Sequence, residues 1–140
     1  GFDEMSALYG RYRVEEVEIK LEIVNSGNKS AIVGYYFAQS ASSSASTSSA
    51  IENPHGDFAQ LPISGGNSRV TFHRKLKVKD FLGWSVPVTN LSAEITGNPL
   101  ETMKLRVFAS NNDATACDIE YTLRIGYHAK FFERKKLPVS

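Results

Sequence analysis

Apolar and polar side chains alternate with a period of two along several segments of this chain, and no long segment has the spacing of an amphipathic helix. Such alternation predicts β-strands with one buried face, because successive side chains of a strand point to opposite sides. The alternating segments are residues 16–23, 68–79, 103–109 and 119–131. Residues 31–38 are apolar at both parities, which predicts a strand buried on both faces. Gly34 inside that run predicts a bulge or a close backbone approach.

The other segments complete an all-β prediction with one short helix. Residues 2–10 have the cap, apolar face and terminal glycine of a short helix. The alternation changes phase near Glu15, which predicts a β-bulge in the first strand. A turn is expected at residues 25–28, and a short strand is expected at residues 92–96. Residues 51–66 read as irregular, with Phe58 and Leu61 tethering them to the core. Strands joined by long, uneven loops favour an antiparallel sandwich over a series of tight hairpins.

The chain has 140 residues, which predicts a single domain covering residues 1–140. Residues 40–66 are expected to be one long, Ser-rich loop, because Ser40 to Ala50 has too little apolar surface to pack. A linker between two domains is disfavoured, since the residues before it are too few for an independent core. The single cysteine, Cys117, excludes an internal disulfide framework and fits a small buried side chain.

Positive charge is concentrated in particular segments although the formal net charge is only +1. Residues 67–79 contain five Lys or Arg and no acid, and residues 124–136 contain five bases and one acid. One face of the predicted strand at residues 68–79, joined by two residues of the last strand, could neutralise the phosphates of nucleic acid without reading sequence. The candidate residues are Arg69, His73, Lys75, Lys77, Lys79, Arg124 and Lys130. The alternative is an ordinary solvated face of a sandwich.

No grouping of residues predicts catalysis, a metal site or a cofactor. There is no Gly-rich phosphate loop, no nucleophile elbow and no zinc-protease motif. His55, His73 and His128 are far apart in sequence, and two of them alternate with lysines, which would repel a cation. The paired acids around Glu15 and Glu18 are typical of a solvated strand edge rather than of a glycosidase. The chain is therefore predicted not to be an enzyme.

An excursion at residues 80–99 has more apolar side chains than its local structure can bury. Contacts between subunits would cover such a patch, so these side chains predict self-association. The predicted interface residues are Phe81, Leu82, Trp84, Val86 and Val88.

The order of these motifs resembles that of coat proteins from small icosahedral viruses, both circular single-stranded DNA viruses that encode a replication initiator and tombusvirus-like RNA viruses. The opening segment FDEMSALYGRYRV, residues 2–14, resembles the helix after the first strand and the start of the second strand of such proteins. The segments KLKVKDFLG from Lys75, GNP from Gly97, LRV from Leu105 and LRIGYHAKF from Leu123 resemble their closing strands.

This resemblance implies a jelly roll of two four-stranded sheets that self-assembles into an icosahedral shell around a single-stranded genome. The implied partners are further copies of the chain and non-specifically bound nucleic acid, with no membrane and no cofactor. The implied location is the virion, and the host cytoplasm or nucleus during assembly. The family's basic arm and first strand have no counterpart here, so they are expected to lie upstream or to come from another chain. The alternatives are a non-viral β-sandwich binding module, for example for carbohydrate, and an enzyme on a cupin-like scaffold.

Overall fold

The computed structural model of the chain describes residues 2–39, 50–63, 68–82, 92–94, 97–99, 102–111 and 118–136. These residues form an all-β fold with two antiparallel sheets and short helices, in agreement with the sequence-based prediction. The helices are α1 (Phe2–Leu8) and α2 (Val78–Leu82). The strands are β1 (Tyr9–Asn25), β2 (Ala31–Gln39), β3 (Gly56–Leu61), β4 (Arg69–Lys77), β5 (Ser92–Glu94), β6 (Met103–Ser110) and β7 (Ile119–Arg134).

The two sheets have simple strand orders. The first sheet has the order β4-β1-β5, and β7 also pairs with β1. The second sheet has the order β3-β2-β6. In the first sheet Tyr12 lies opposite Ala93, and in the second Gly34 lies opposite Phe58 on one side and Phe108 on the other.

The chain divides into two compact units. The terminal unit comprises Gly1–Val17, Leu76–Thr102 and Gly126–Ser140, and the central unit comprises Glu18–Lys75 and Met103–Ile125. Strands β1, β4 and β7 each contribute residues to both units.

The core of the central unit lies between its two sheets. Ile19, Leu21 and Ile23 alternate along β1 and are fully buried, as their period of two predicts. The rings of Tyr35 on β2 and Phe72 on β4 meet edge to face, with centroids 5.4 Å apart. These strands belong to different sheets, so the sheets of this unit pack face to face as in a sandwich.

Strand β2 is buried on both faces, as its continuous apolar run predicts. Tyr35 is buried towards the first sheet, and on the other face Tyr36 and Ala38 pack with Ala50 and Phe108. Gly34 is a site of close backbone approach, because a Cβ atom there would collide with the carbonyl oxygen of Asp57. Only glycine therefore fits this position without a shift of β3.

Several sequence-based boundaries differ from the structure. The helix expected over residues 2–10 ends at Leu8, and Tyr9 begins β1. Residues 51–66, expected to be irregular, contain strand β3, in which Leu61 is buried but Phe58 is 52% exposed. The strand expected over residues 68–79 ends at Lys77, and Lys79 belongs to α2. Pro54 and Pro62 flank β3, so its sequence looks like a loop although its backbone pairs with β2 over six residues.

In the terminal unit, contacts with Lys135 hold the end of α1. The backbone N–H of Lys135 donates to the carbonyl of Leu8 at 2.8 Å, and its Nζ donates to the carbonyl of Ser6 at 2.9 Å. The ring of Phe131 lies 6.2 Å from that of Tyr9 and 6.5 Å from that of Tyr12. These contacts bury part of the apolar face of the last strand.

Candidate subunit interface and basic surface

An open apolar groove of about 550 Å³ lies between β6 and β7 of the central unit. Apolar and aromatic side chains alone line it: Ile23, Leu105, Val107, Phe108, Ala109, Ile119, Tyr121, Leu123 and Ile125. Among these described residues no charged or amide side chain lines the groove to orient a small polar ligand, as a typical ligand site would require. Its chemistry is that of a surface which another apolar surface covers.

Strand β7 gives this groove its most exposed wall. Tyr121 is 60% exposed and Ile125 is 53% exposed, whereas Ile119 and Leu123 are half-buried. On the opposite face of the strand, Glu120, Thr122 and Arg124 are also exposed. Strand β7 therefore has the apolar face that its alternation predicts, but in residues 119–125 part of this face is exposed to solvent.

The groove is open because each of its walls is at the border of a sheet. Among the described strands, β6 pairs only with β2, and β7 pairs only with β1. Neither strand has a further described neighbour that would extend its sheet and close the gap. Unpaired sheet borders are the usual site of strand addition and of association between chains.

Of the interface residues predicted within residues 80–99, the structure describes Phe81 and Leu82, and neither is fully exposed. Leu82 is only 7% exposed and Phe81 is half-buried, so Leu82 is buried in the chain instead of facing solvent. Trp84, Val86 and Val88 lie outside the described residues. Large exposed apolar side chains occur at several described positions, among them Phe58, Ile63, Tyr121, Ile125 and Tyr127. Of these, Tyr121 and Ile125 line the groove.

The predicted basic face of β4 is exposed, but acids on β1 compensate its charge. His73 Nε2 lies 2.6 Å from Glu18 Oε1, and Lys75 Nζ lies 3.8 Å from Glu18 Oε2. Arg69 Nη1 lies 3.6 Å from Glu22 Oε1. All five side chains are at least 40% exposed, so each pair contributes little to stability but lowers the local positive potential. The sequence could not reveal these pairs, because they depend on the register between β1 and β4.

The other residues predicted to bind nucleic acid lie on three different elements: Lys77 on β4, Lys79 on α2, and Arg124 and Lys130 on β7. Lys77 and Arg124 are exposed, and Lys79 lies in α2. Lys130 lies near Glu15, whose pKa is lowered chiefly by a hydrogen bond from Arg13, with smaller charge effects from Arg13 and Lys130.

Arg74, which interrupts the apolar face of β4, has a structural role. Its Nη2 donates to the carbonyl of Pro54 at 3.3 Å, and its Nη1 lies 3.8 Å from Asp57 Oδ2. The same carboxylate oxygen accepts a hydrogen bond from the buried hydroxyl of Tyr35 at 2.5 Å. Arg74 therefore joins β4 to the segment before β3 and to β3 itself.

In the described part of the chain, no group of three His, Cys, Asp or Glu side chains could hold a metal ion. Neither described helix has the length and apolar character that a helix needs to cross a membrane.

No protein-family model matches the chain, and no curated protein matches it significantly.

Proposed function

We propose that the chain is a structural coat subunit that self-assembles into a small icosahedral shell around a single-stranded genome. The observation that carries this proposal is the open apolar groove with its exposed wall on β7. Single exposed apolar residues are normal on monomers, but a continuous apolar groove beside an uncovered strand is typical of an interaction surface. Association of copies would remove Tyr121 and Ile125 from water.

The order of strand pairing supports the jelly-roll part of the proposal. Among the described strands, the first pairs with the last, and the second pairs with the next to last. Nested pairing of this kind arises when a long antiparallel ribbon wraps into two sheets, which is how a jelly roll is built. Coat proteins are one common use of this architecture, and the order of motifs in the sequence favours that use here.

Nucleic acid is the second proposed partner, bound weakly and through phosphates. Part of the basic surface is paired with Glu18 and Glu22, so a phosphate must compete with a carboxylate for Arg69, His73 and Lys75. Lys77 and Arg124 are exposed to solvent. Binding through such residues should be independent of base sequence and should fall steeply with added salt.

Light scattering coupled to size-exclusion chromatography tests the proposal. The wild-type chain should elute as an assembly at micromolar concentration. Ile125→Lys, which puts a charge into the apolar groove, should weaken association by about tenfold or more, because a buried unpaired charge is strongly unfavourable. Thr71→Lys is the matched control, since Thr71 is exposed on β4 and does not line the groove, and it should assemble like the wild type.

A wild-type chain that remains a 15.5 kDa monomer across salt and pH would contradict the proposal. That result would favour the alternative of a monomeric β-sandwich binding module.

A further inference from the structure

The segment Ile119 to Ile125 of β7 is unprotected against pairing with another strand. It pairs on one side with β1 and has no other neighbour among the described strands. Glu120, Thr122 and Arg124 on one face and Tyr121 and Ile125 on the other are exposed, so neither face is covered. The sequence IEYTLRI contains β-branched and aromatic residues and no Pro or Lys, and its two charged residues, Glu120 and Arg124, have opposite signs.

We infer that a second copy of this chain pairs with this segment, so that two β7 strands lie antiparallel across a two-fold axis at Thr122. This inference rests on the proposed self-assembly and specifies one of its contacts. Closed shells need contacts of more than one kind, and a two-fold contact uses the same patch on both copies.

Charge complementarity selects the partner and the register. With Thr122 opposite its own copy, Glu120 of each chain lies opposite Arg124 of the other, which gives two reciprocal ion pairs on one face. Neither Glu120 nor Arg124 forms an ion pair with a described residue of its own chain. Opposite charges directly across a strand pair stabilise it, and Thr facing Thr is also a favourable pair.

The same register also matches the apolar face. Tyr121 of each copy lies opposite Leu123 of the other, and Ile119 lies opposite Ile125. Pairing would therefore join the exposed walls of the two grooves into one apolar surface and would continue the first sheet from one copy into the next. A shift that centres the pair on Leu123 instead would place Glu120 opposite Gly126 and Thr122 opposite Arg124, losing both ion pairs.

A charge-reversal cycle followed by light scattering tests this register. Glu120→Arg and Arg124→Glu should each weaken self-association by about tenfold, because each change sets like charges opposite one another twice per dimer. The double variant Glu120→Arg/Arg124→Glu should restore it to within about threefold, since the reversed charges are complementary again. Exposed charges contribute little to folding, so all variants should unfold near the wild-type temperature.

Cysteine cross-linking provides a second measurement, which reports directly which residues face each other in the associated pair. In a Cys117→Ser background, Thr122→Cys should form a disulfide-linked dimer under mild oxidation, because cysteines facing each other across a two-fold have Cα atoms close enough to bridge. Arg124→Cys in the same background should cross-link much less.

The possible results separate this inference from the proposed function. Restoration by the double variant together with cross-linking at position 122 supports both. Wild-type assembly that neither charge reversal weakens, with no cross-link at position 122, overturns the β7 register and leaves self-assembly intact. A wild-type chain that stays monomeric, together with no cross-link in the Thr122→Cys variant, overturns both.

Discussion

Asn25 ends β1 with a side-chain amide that uses all of its hydrogen-bonding groups. It is only 2% exposed, and its Nδ2 donates to the carbonyls of Lys29 at 2.7 Å and Pro62 at 2.9 Å. Its Oδ1 accepts from the N–H of Gly27 at 3.0 Å. One buried side chain thus fixes the turn into β2 and the segment after β3, a role that the sequence, which predicted only a turn, could not show.

Replacing this amide should destabilise the central unit. Asn25→Ala removes three hydrogen bonds of a buried side chain and leaves a cavity in its place, so the free energy of unfolding should fall by about 2–4 kcal/mol. Urea denaturation followed by far-ultraviolet circular dichroism measures the change. Asn28→Ala, at an exposed position of the same turn, is the control and should stay within about 0.5 kcal/mol of the wild type. Equal stability of the two variants would show that the amide network has no structural role.

Tyr35 makes stability depend on pH in the alkaline range. Burial, together with the hydrogen bond from its hydroxyl to Asp57, raises the pKa of Tyr35 from 10.0 to about 12. Because the folded-state pKa is the higher one, folding favours the neutral hydroxyl. This contribution is complete below pH 10 and is lost as the pH rises from about 10 towards about 12.

Thermal unfolding at several pH values checks this account. The wild type should lose stability more steeply above pH 10 than Tyr35→Phe, whose ring cannot ionise, while at neutral pH Tyr35→Phe should be less stable by about 1 kcal/mol. Tyr127→Phe, at a side chain that is 60% exposed, should keep the alkaline slope of the wild type. The account fails if Tyr35→Phe and the wild type have the same slope.

At the scale of elements, the acids of β1 limit how strongly β4 can attract polyanions. The double variant Glu18→Gln/Glu22→Gln removes the acids that face Arg69, His73 and Lys75. Its affinity for single-stranded oligonucleotide should rise by about three- to tenfold at low salt, with a steeper dependence on salt. Fluorescence anisotropy with a labelled oligonucleotide measures both quantities.

A matched control separates this local effect from net charge. Glu52→Gln/Glu94→Gln removes the same two charges at exposed positions that form no ion pair with a described residue. It should raise the affinity much less. If both double variants gain affinity equally, the paired cations on β4 have no special part in binding.

Local alternation was sufficient to predict β1, β4, β6 and β7, because a period of two requires nothing beyond neighbouring residues. Strand β3 was missed because the register with β2 defines it, and its own side chains do not alternate clearly. The alternation of β7 predicted an apolar face that includes Tyr121 and Ile125, but it could not predict that these side chains are exposed. Their exposure depends on the pairing of strands, since β7 pairs only with β1 among the described strands. Positions and charges of single strands could thus be predicted, whereas pairings between strands distant in sequence could not.

At the scale of the whole molecule, the features of the two sheets agree with one use. The buried face of β1 and both faces of β2 build a stable subunit core, while β6 and β7 leave an apolar groove in the central unit. The proposed self-assembly would cover that groove. The account therefore depends on whether purified copies assemble into a closed structure.

Negative-stain electron microscopy of the purified chain, with screening of salt and pH, is the most direct test of this claim. The account predicts closed particles of uniform diameter, which the Ile125→Lys variant should fail to form while keeping its β-sheet circular dichroism. Fields that contain only small monomers, or only irregular aggregates, under all conditions would contradict it.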